Sequence, residues 1–254
     1  MTRTPISLLV LGAAVILLAG CGNSEGAGSA TDTITVFAAA SLKSTFTELG
    51  ETFEAQNPAV TVEFNFAGSS DLVTALAQGA PADVFASADT INMTKAVEAN
   101  LVDGEPVNFA KNTLTIVTAP GNPKDVASFA DLADPDILTV VCAPQVPCGN
   151  ATATLEKATG TTVPAVSEEA SVTDVLGKVT SGQADAGLVY VTDAAGAGDQ
   201  VTTVDFPEAR EAVNTYPIAV LKSSRNVAAA SAFEALLTGP TGRQVLIEAG
   251  FAAP

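Results

Sequence analysis

The spacing of apolar residues changes from strand-like to helix-like within one short stretch near the start of the chain. Residues 33–42 begin as a β-branched apolar run and end in three alanines, Ser41 and a leucine. From Leu42 to Phe53 the apolar residues then recur at intervals of four, three and four. This change predicts a strand, a tight turn and a helix, with Ser41 at the helix N-terminus.

The same succession recurs along the rest of the chain. Further strands are predicted over 59–66, 83–86, 114–118, 137–142, 186–191 and 213–221, and helices over 72–78, 91–99, 149–158, 172–181, 231–237 and 242–249. Strands that alternate with helices indicate an α/β fold with parallel sheets. We predict a two-lobed clamshell joined by two crossing strands, each lobe a mostly parallel sheet flanked by helices. Lobe 1 is predicted over 33–112 plus 221–254, and lobe 2 over 113–220.

Composition supports that fold and narrows the functions. Hydrophobic residues make up 47% of the 254 residues and aromatic residues only 5%, so the core consists mainly of the aliphatic residues typical of buried parallel sheets. The net charge of -17 argues against nucleic acid or an anionic membrane surface as a partner. Without histidine, Ser-His-Asp and Cys-His catalysis are excluded. The chain also lacks the G-x-x-x-x-G-K-[ST] loop of nucleoside triphosphate sites.

The N-terminus has the features of an export signal. Arg3 precedes an apolar run of about a dozen residues, too short for a membrane span, so residues 1–20 are predicted to be a signal peptide. The sequence Leu-Ala-Gly-Cys that ends at Cys21 resembles a bacterial lipobox, which implies cleavage before Cys21 and lipidation of that cysteine. Ordinary secretory cleavage is the alternative. Residues 21–32 are predicted to be a flexible tether.

Two further cysteines, Cys142 and Cys148, would then lie in an oxidising compartment. We predict a disulfide between them that closes a short loop. Two separate buried thiols are the alternative, and a two-cysteine metal site lacks further soft ligands.

Four predicted strand-to-helix turns suggest an anion site. Each offers backbone N–H groups that the helix leaves unpaired, together with the partial positive charge of a helix N-terminus. The turns are Ala40-Ser41, Gly68-Ser69-Ser70, Val146-Pro147-Cys148-Gly149 and Glu169-Ala170-Ser171-Val172. Serine hydroxyls and the Tyr190 phenol add further donors. Our hypothesis is that these neutral groups bind one small oxyanion, and that such a site selects ligands without protons.

Each of these residues also has a purely structural explanation. Ser41, Ser69 or Ser70 could simply cap a helix, since serine is a preferred N-cap residue. Val172 could belong to the core, and Tyr190 could be a packed tyrosine. Asp83 and Asp89 suggest a metal site, but two carboxylates without histidine suit transition metals poorly, so we expect them to brace a turn and to cap a helix.

Four segments together resemble the molybdate-binding proteins of bacterial ABC importers. They are Phe37-Ala38-Ala39-Ala40-Ser41-Leu42, Phe66-Ala67-Gly68-Ser69-Ser70, residues 79–89 (GAPADVFASAD) and residues 187–194 (GLVYVTDA). The resemblance implies that molybdate, and also tungstate, is held by the N–H and hydroxyl groups of Ser41 and Ser69, the N–H groups of Cys148 and Val172, and the hydroxyl of Tyr190. Cysteine at position 148 departs from the alanine more common in that family.

The resemblance also implies the partners. A permease and its ATPase would receive the anion. The protein itself would be monomeric and extracytoplasmic, and a lipid anchor would be its only contact with the membrane. It would not be an enzyme and would need no cofactor. The alternatives are a carrier of sulfate or another tetrahedral oxyanion, and a ferric or divalent-metal binder. Paired tyrosines bind iron in some clamshell proteins, but Tyr190 and Tyr216 are not adjacent in sequence. A hydrolase built on Ser41 or Ser69 would lack an evident base.

Overall fold

In a computed structural model of the chain, the structure describes residues 32–254. The predicted signal peptide, Cys21 and the tether up to residue 31 lie outside the described residues. Asp32, predicted to be the last tether residue, is instead the first residue of a strand.

Within residues 32–254 the chain forms ten strands and eight α-helices. The strands are β1 (Asp32–Ala39), β2 (Val60–Ala67), β3 (Val84–Ala86), β4 (Val107–Asn112), β5 (Leu114–Thr118), β6 (Thr139–Cys142), β7 (Ser167–Glu169), β8 (Ala186–Tyr190), β9 (Thr202–Val204) and β10 (Asn214–Val220). The helices are α1 (Lys43–Gln56), α2 (Ser69–Ala77), α3 (Thr90–Glu98), α4 (Pro147–Thr159), α5 (Val172–Thr180), α6 (Val191–Ala197), α7 (Val227–Thr238) and α8 (Pro240–Glu248). Every strand and helix that the sequence predicted is present, with ends that differ by a few residues. The prediction missed β4, β7, β9 and α6.

The strands form two sheets with matching topology. The first has the order β2-β1-β3-β10-β4 and the second β7-β6-β8-β5-β9. In each sheet four strands run in one direction, and the fourth strand of the order given, β10 or β5, pairs antiparallel with both of its neighbours. The predicted α/β architecture of two mostly parallel sheets is therefore confirmed.

The predicted boundary between the lobes at residue 220 is wrong. The chain enters the second sheet between β4 and β5, at Thr113, but it returns before β10. Because β10 hydrogen-bonds to both β3 and β4, it belongs to the first sheet. Below, lobe 1 means residues 32–112 and 214–254, and lobe 2 means residues 113–213.

Strand β1 shows how the sequence builds the core of lobe 1. Ile34, Val36 and Ala38 point to one side of the sheet, where they pack with apolar residues of α1, α7 and α8. Phe37 points to the other side and packs with α2 and α3. Because both faces of β1 are packed in this way, the position of the strand is fixed, and with it the position of the turn that carries Ser41.

Candidate functional site

A small cavity lies where the turns of the two lobes meet. The space open to the centre of a water molecule is about 10 Å³. Its lining consists of Ala39, Ala40, Ser41, Ala67, Gly68, Ser69, Ala88, Val146, Pro147, Cys148, Val172 and Tyr190. All five predicted site residues belong to this lining, and none of the twelve residues carries a formal charge.

Each predicted residue reaches the cavity from the end of a strand or the start of a helix. Ser41 lies in the 3-10 turn Ala40–Leu42 between β1 and α1, and Ser69 is the first residue of α2. Cys148 is the second residue of α4, after a proline that suits the first helical position. Val172 is the first residue of α5, and Tyr190 is the last residue of β8. Lobe 1 thus supplies two of the five and lobe 2 supplies three.

The backbone donors at these positions are not used by the fold. Among residues 32–254, the amides of Ser41, Ser69, Cys148 and Val172 donate to no backbone or side-chain acceptor. The first amides of a helix have no intrahelical partner, and they normally find a side chain, water or a ligand. Since all four residues line one small cavity, a single acceptor-rich guest would satisfy their amides together.

The serine hydroxyls are held by hydrogen bonds from their own lobe. Ser69 is 1% exposed, and its Oγ accepts from the amide of Ala88 at 3.0 Å. That bond leaves the Ser69 hydroxyl proton free to be donated elsewhere. The Oγ of Ser41 lies 3.1 Å from the hydroxyl of Tyr216 on β10.

The hydroxyl of Tyr190 is buried without a partner. The residue is 1% exposed, and within residues 32–254 its Oη has no hydrogen bond. Leaving a buried polar group unpaired costs about 1–3 kcal/mol, so the group indicates an acceptor that is missing from the isolated chain. Burial raises the pKa of the Tyr190 phenol well above its usual range, so at neutral pH it remains an uncharged donor.

The predicted disulfide is present and shapes one of the four turns. Cys142 ends β6 and is bonded to Cys148, with the two Cα atoms 5.6 Å apart. Next to it, a side chain at Gly149 would place its Cβ 2.0 Å from the carbonyl oxygen of Ala143. The disulfide holds the start of α4 against the end of β6, and the glycine permits this close contact.

The two lobes touch closely around the cavity. A Cβ at Gly68 would lie 2.2 Å from the carbonyl oxygen of Ala170 in the opposite lobe. Two side-chain amides also cross between the lobes: Asn92 donates to the carbonyl of Gln145 and Asn214 to that of Pro147, each at 3.5 Å. The described structure is therefore a closed form.

The two aspartates have structural roles. Asp83 accepts from the amide of Thr35 at 2.7 Å and from the hydroxyl of Ser224 at 2.7 Å, which braces β1 against the segment before α7. Asp89 caps α3 by accepting from the amide of Asn92 at 2.8 Å. No group of three or more acidic, cysteine or histidine side chains suited to a metal ion occurs among residues 32–254.

Sequence reasoning missed two residues beside the cavity. Tyr216 stacks edge-on against Tyr190, with ring centroids 5.9 Å apart, so their separation in sequence was a wrong argument against a tyrosine pair. Burial raises the pKa of both phenols, which disfavours the phenolate form that would bind iron. Asp193 in α6 accepts from the amide of Tyr190 at 3.1 Å, and burial raises the pKa of its carboxyl to about 7.

Comparison with known proteins identifies the family. Residues 34–252 match the family model described as bacterial extracellular solute-binding protein. The chain belongs to this family. Among residues 32–254 of this solute-binding protein, no helix has the length and apolar character that a bilayer span requires.

Relatives with assigned names are similar over most of their length. The "Molybdate-binding protein ModA" of Mycobacterium tuberculosis is 55% identical, with 93% of each chain covered. The protein of the same name from Escherichia coli is 32% identical, over 86% of this chain and 88% of the relative. Among solved structures, the substrate-binding domain of a putative molybdenum ABC transporter from Clostridium difficile is 27% identical, with a TM-score of 0.64 over 87% of this chain and 99% of that one.

Two more distant structures share the fold. The periplasmic molybdate-binding protein of Azotobacter vinelandii has a TM-score of 0.77 at 23% identity, over 87% of this chain and 99% of that chain. The sulfate-binding protein SubI of Mycobacterium tuberculosis has a TM-score of 0.78 at 22% identity, over 87% of each chain. The two-lobed architecture is therefore common to carriers of different oxyanions.

Replacing both Cys142 and Cys148 with serine should lower the free energy of unfolding by about 2 kcal/mol, because the unfolded chain then gains the freedom of a short closed loop. Urea unfolding of the oxidised protein and the variant measures the difference. A reducing agent should destabilise the unmodified protein by a similar amount and leave the variant unchanged. Equal stability of the variant and the oxidised protein would contradict this role.

Replacing Asp193 with asparagine should flatten the pH dependence of stability. The pKa of Asp193 in the folded protein is about 7, above the ordinary 3.8, so the folded state binds more protons between those values. The contribution of this group to the free energy of unfolding is therefore present at low pH and lost as the pH rises through 7. Urea unfolding should find that the stability of Asp193→Asn relative to the unmodified protein rises between pH 4 and pH 8, by on the order of 2–4 kcal/mol, with no further rise at higher pH. Identical pH profiles for the two proteins would refute the assignment.

Proposed function

We propose that this solute-binding protein captures molybdate, and also tungstate, between its two lobes and delivers it to an ABC importer. The observation that carries the proposal is the uncharged cavity, on which donors from both lobes converge. Relatives named as molybdate-binding proteins, one of them 55% identical, support the choice of anion. The protein performs no bond chemistry in this proposal, and its work is capture and release.

The helix N-termini supply the attraction that a cation would otherwise provide. Each helix end carries roughly half a positive charge, so four ends amount to roughly two units, which approximates the charge of a dianion. The field fades within one helical turn, so it acts only on a guest inside the cavity. At longer range the net charge of -17 repels anions, and binding therefore depends on close, directed contacts.

The donors select the chemical form of the guest. The amides of Ser41, Ser69, Cys148 and Val172 can only donate, and the neutral Tyr190 phenol has a proton without an acceptor. An oxyanion that carries a proton would bring a donor of its own and leave it unpaired. A fully deprotonated tetrahedral dianion such as molybdate accepts from every group.

Entry of the anion requires the lobes to open. In the closed form the space open to the centre of a water molecule is only about 10 Å³, and residues of both lobes line it. We infer a hinge at the two crossings, Thr113 and residues 205–213, around which the lobes separate and then close on the guest. Closure brings the amides of both lobes onto one anion, so neither lobe alone provides the full donor set.

The location and partners follow from the N-terminal sequence and the proposed cargo. We propose that Cys21 carries lipid and holds the monomeric protein on the outer side of the cell membrane, with residues after Cys21 as a tether. The partners are a permease and its ATPase, which take up the released anion. Mass spectrometry of the exported protein would test this anchor, and an unmodified Cys21 would refute it.

Titration calorimetry with molybdate, tungstate, sulfate and ferric ion tests the proposal directly. We expect molybdate to bind at least about tenfold more tightly than sulfate, because a smaller anion cannot reach all donors at about 2.8 Å, and one lost charge-assisted hydrogen bond is worth roughly 1.5–3 kcal/mol. Equal affinity for sulfate would favour a general oxyanion carrier. Absence of molybdate binding, or tight ferric binding, would overturn the proposal.

Tyr190→Phe should weaken molybdate binding by about 10-fold to 100-fold, since it removes one hydrogen bond to a charged ligand. Without ligand the variant should unfold at the same or a slightly higher temperature, because the lost hydroxyl is buried and unpaired. Calorimetry measures the affinity, and circular dichroism the unfolding. Unchanged affinity would remove Tyr190 from the site.

Gly68→Ala should prevent complete closure. Its Cβ would overlap the carbonyl oxygen of Ala170, so the lobes would stay apart and molybdate affinity should fall at least about tenfold. Gly177→Ala is the matched control, because nothing lies within 4 Å of a Cβ at that position. Calorimetry compares the two variants, and small-angle X-ray scattering should find the Gly68 variant more open with ligand present. Equal affinities would contradict the closure contact.

A further inference from the structure

Tyr216 contacts one cavity-lining residue from each lobe, Ser41 of lobe 1 and Tyr190 of lobe 2. The residue is 0% exposed and stands on β10, in lobe 1. Its ring packs edge-on against Tyr190 of lobe 2, and also against Phe109 and Phe251. The ring is thus fixed by aromatic contacts on several sides, which leaves its hydroxyl a single direction.

The hydroxyl of Tyr216 lies 3.1 Å from the Oγ of Ser41, and the side chains of Asn112 and Tyr190 are also close enough to shift the pKa of its phenol. Either oxygen is able to donate, so the direction has to follow from the other partners. If Ser41 donated, the proton of Tyr216 would have to turn to another group, such as the neighbouring Tyr190 hydroxyl. The lone pairs of Ser41 would then face the cavity, where they would repel an anion. If Tyr216 donates, both protons have acceptors once an anion is present.

We infer that Tyr216 is a positioning residue that donates to the Ser41 oxygen and thereby turns the Ser41 hydroxyl proton toward the bound oxyanion. This inference rests on the proposed function. Ser69 has the same arrangement, since its oxygen accepts from the amide of Ala88 and its proton is left for the cavity. In both serines a donor in the protein occupies the oxygen, and only the proton faces the guest.

The arrangement makes Tyr216 a determinant of ligand choice. When one lone pair of the Ser41 oxygen accepts from Tyr216 and the hydroxyl proton is directed at the guest, the second lone pair points away from the guest, so a protonated oxyanion finds no partner for its proton there. Removing the Tyr216 hydroxyl frees a lone pair on Ser41. The serine can then rotate and accept from a guest such as hydrogen arsenate, a protonated tetrahedral dianion.

A double-mutant cycle separates this role from simple packing. Tyr216→Phe should raise the molybdate dissociation constant by about fivefold in the unmodified background, and by less than about twofold in a Ser41→Ala background. The coupling arises because Tyr216 acts through Ser41. An equal effect in both backgrounds, or no effect in either, would overturn the inference. If the unmodified protein binds no molybdate, the proposed function fails first, and the two failures are distinguishable.

A second measurement uses ligand choice at pH 8, where hydrogen arsenate carries a proton and sulfate carries none. For Tyr216→Phe, the preference for molybdate over hydrogen arsenate should fall by at least about threefold, whereas the preference for molybdate over sulfate should stay unchanged. Ratios of dissociation constants remove any general loss of affinity from altered packing. If both preferences shift together, or if neither shifts, Tyr216 does not determine the direction of the Ser41 hydroxyl proton.

Discussion

The proposed function depends on one feature above all, the unpaired amides at the starts of helical segments whose residues line one small cavity. The two serines, the tyrosine and the amides of residues 148 and 172 offer protons and no formal charge. Placing a dianion among such groups replaces its lost hydration with fixed dipoles, which need little reorganisation when the guest arrives. A lysine or arginine in the same cavity would attract protonated and deprotonated anions alike, with less dependence on shape. In the proposed function, the net charge of -17 offers an anion no long-range attraction, so affinity depends on these short-range contacts.

The rest of the fold keeps those dipoles in place. The helical segments that follow β1, β2, β6 and β7 each contribute a residue to the cavity lining, as expected at the carboxyl ends of parallel strands. The disulfide between Cys142 and Cys148 ties the start of α4 to the end of β6. Gly68 allows the backbones of the two lobes to approach more closely than any side chain would permit. Affinity in such a site comes from donors that are already oriented, so features that restrict the turns contribute to binding without touching the guest.

The sequence predicted those parts of the structure that local patterns determine. Ser41 and Ser69 follow a change from strand period to helix period, and such a change locates a helix start. Local patterns could not show which lobe contains β10, because an apolar strand has the same pattern in either sheet. The strands β7 and β9 have three residues each, too few for any period, and α6 is rich in alanine and glycine. Tyr216 has the pattern of a core residue, and only the three-dimensional contact between its hydroxyl and Ser41 reveals more.

A crystal structure of the protein with molybdate, with the metal located by its anomalous scattering, tests the central claim most directly. We expect one molybdenum peak in the cavity, with the anion's oxygens at about 2.8 Å from the amide nitrogens of residues 41, 69, 148 and 172 and within hydrogen-bonding distance of the Tyr190 hydroxyl. A peak outside this cavity, or an anion held by a lysine or arginine side chain, would contradict it.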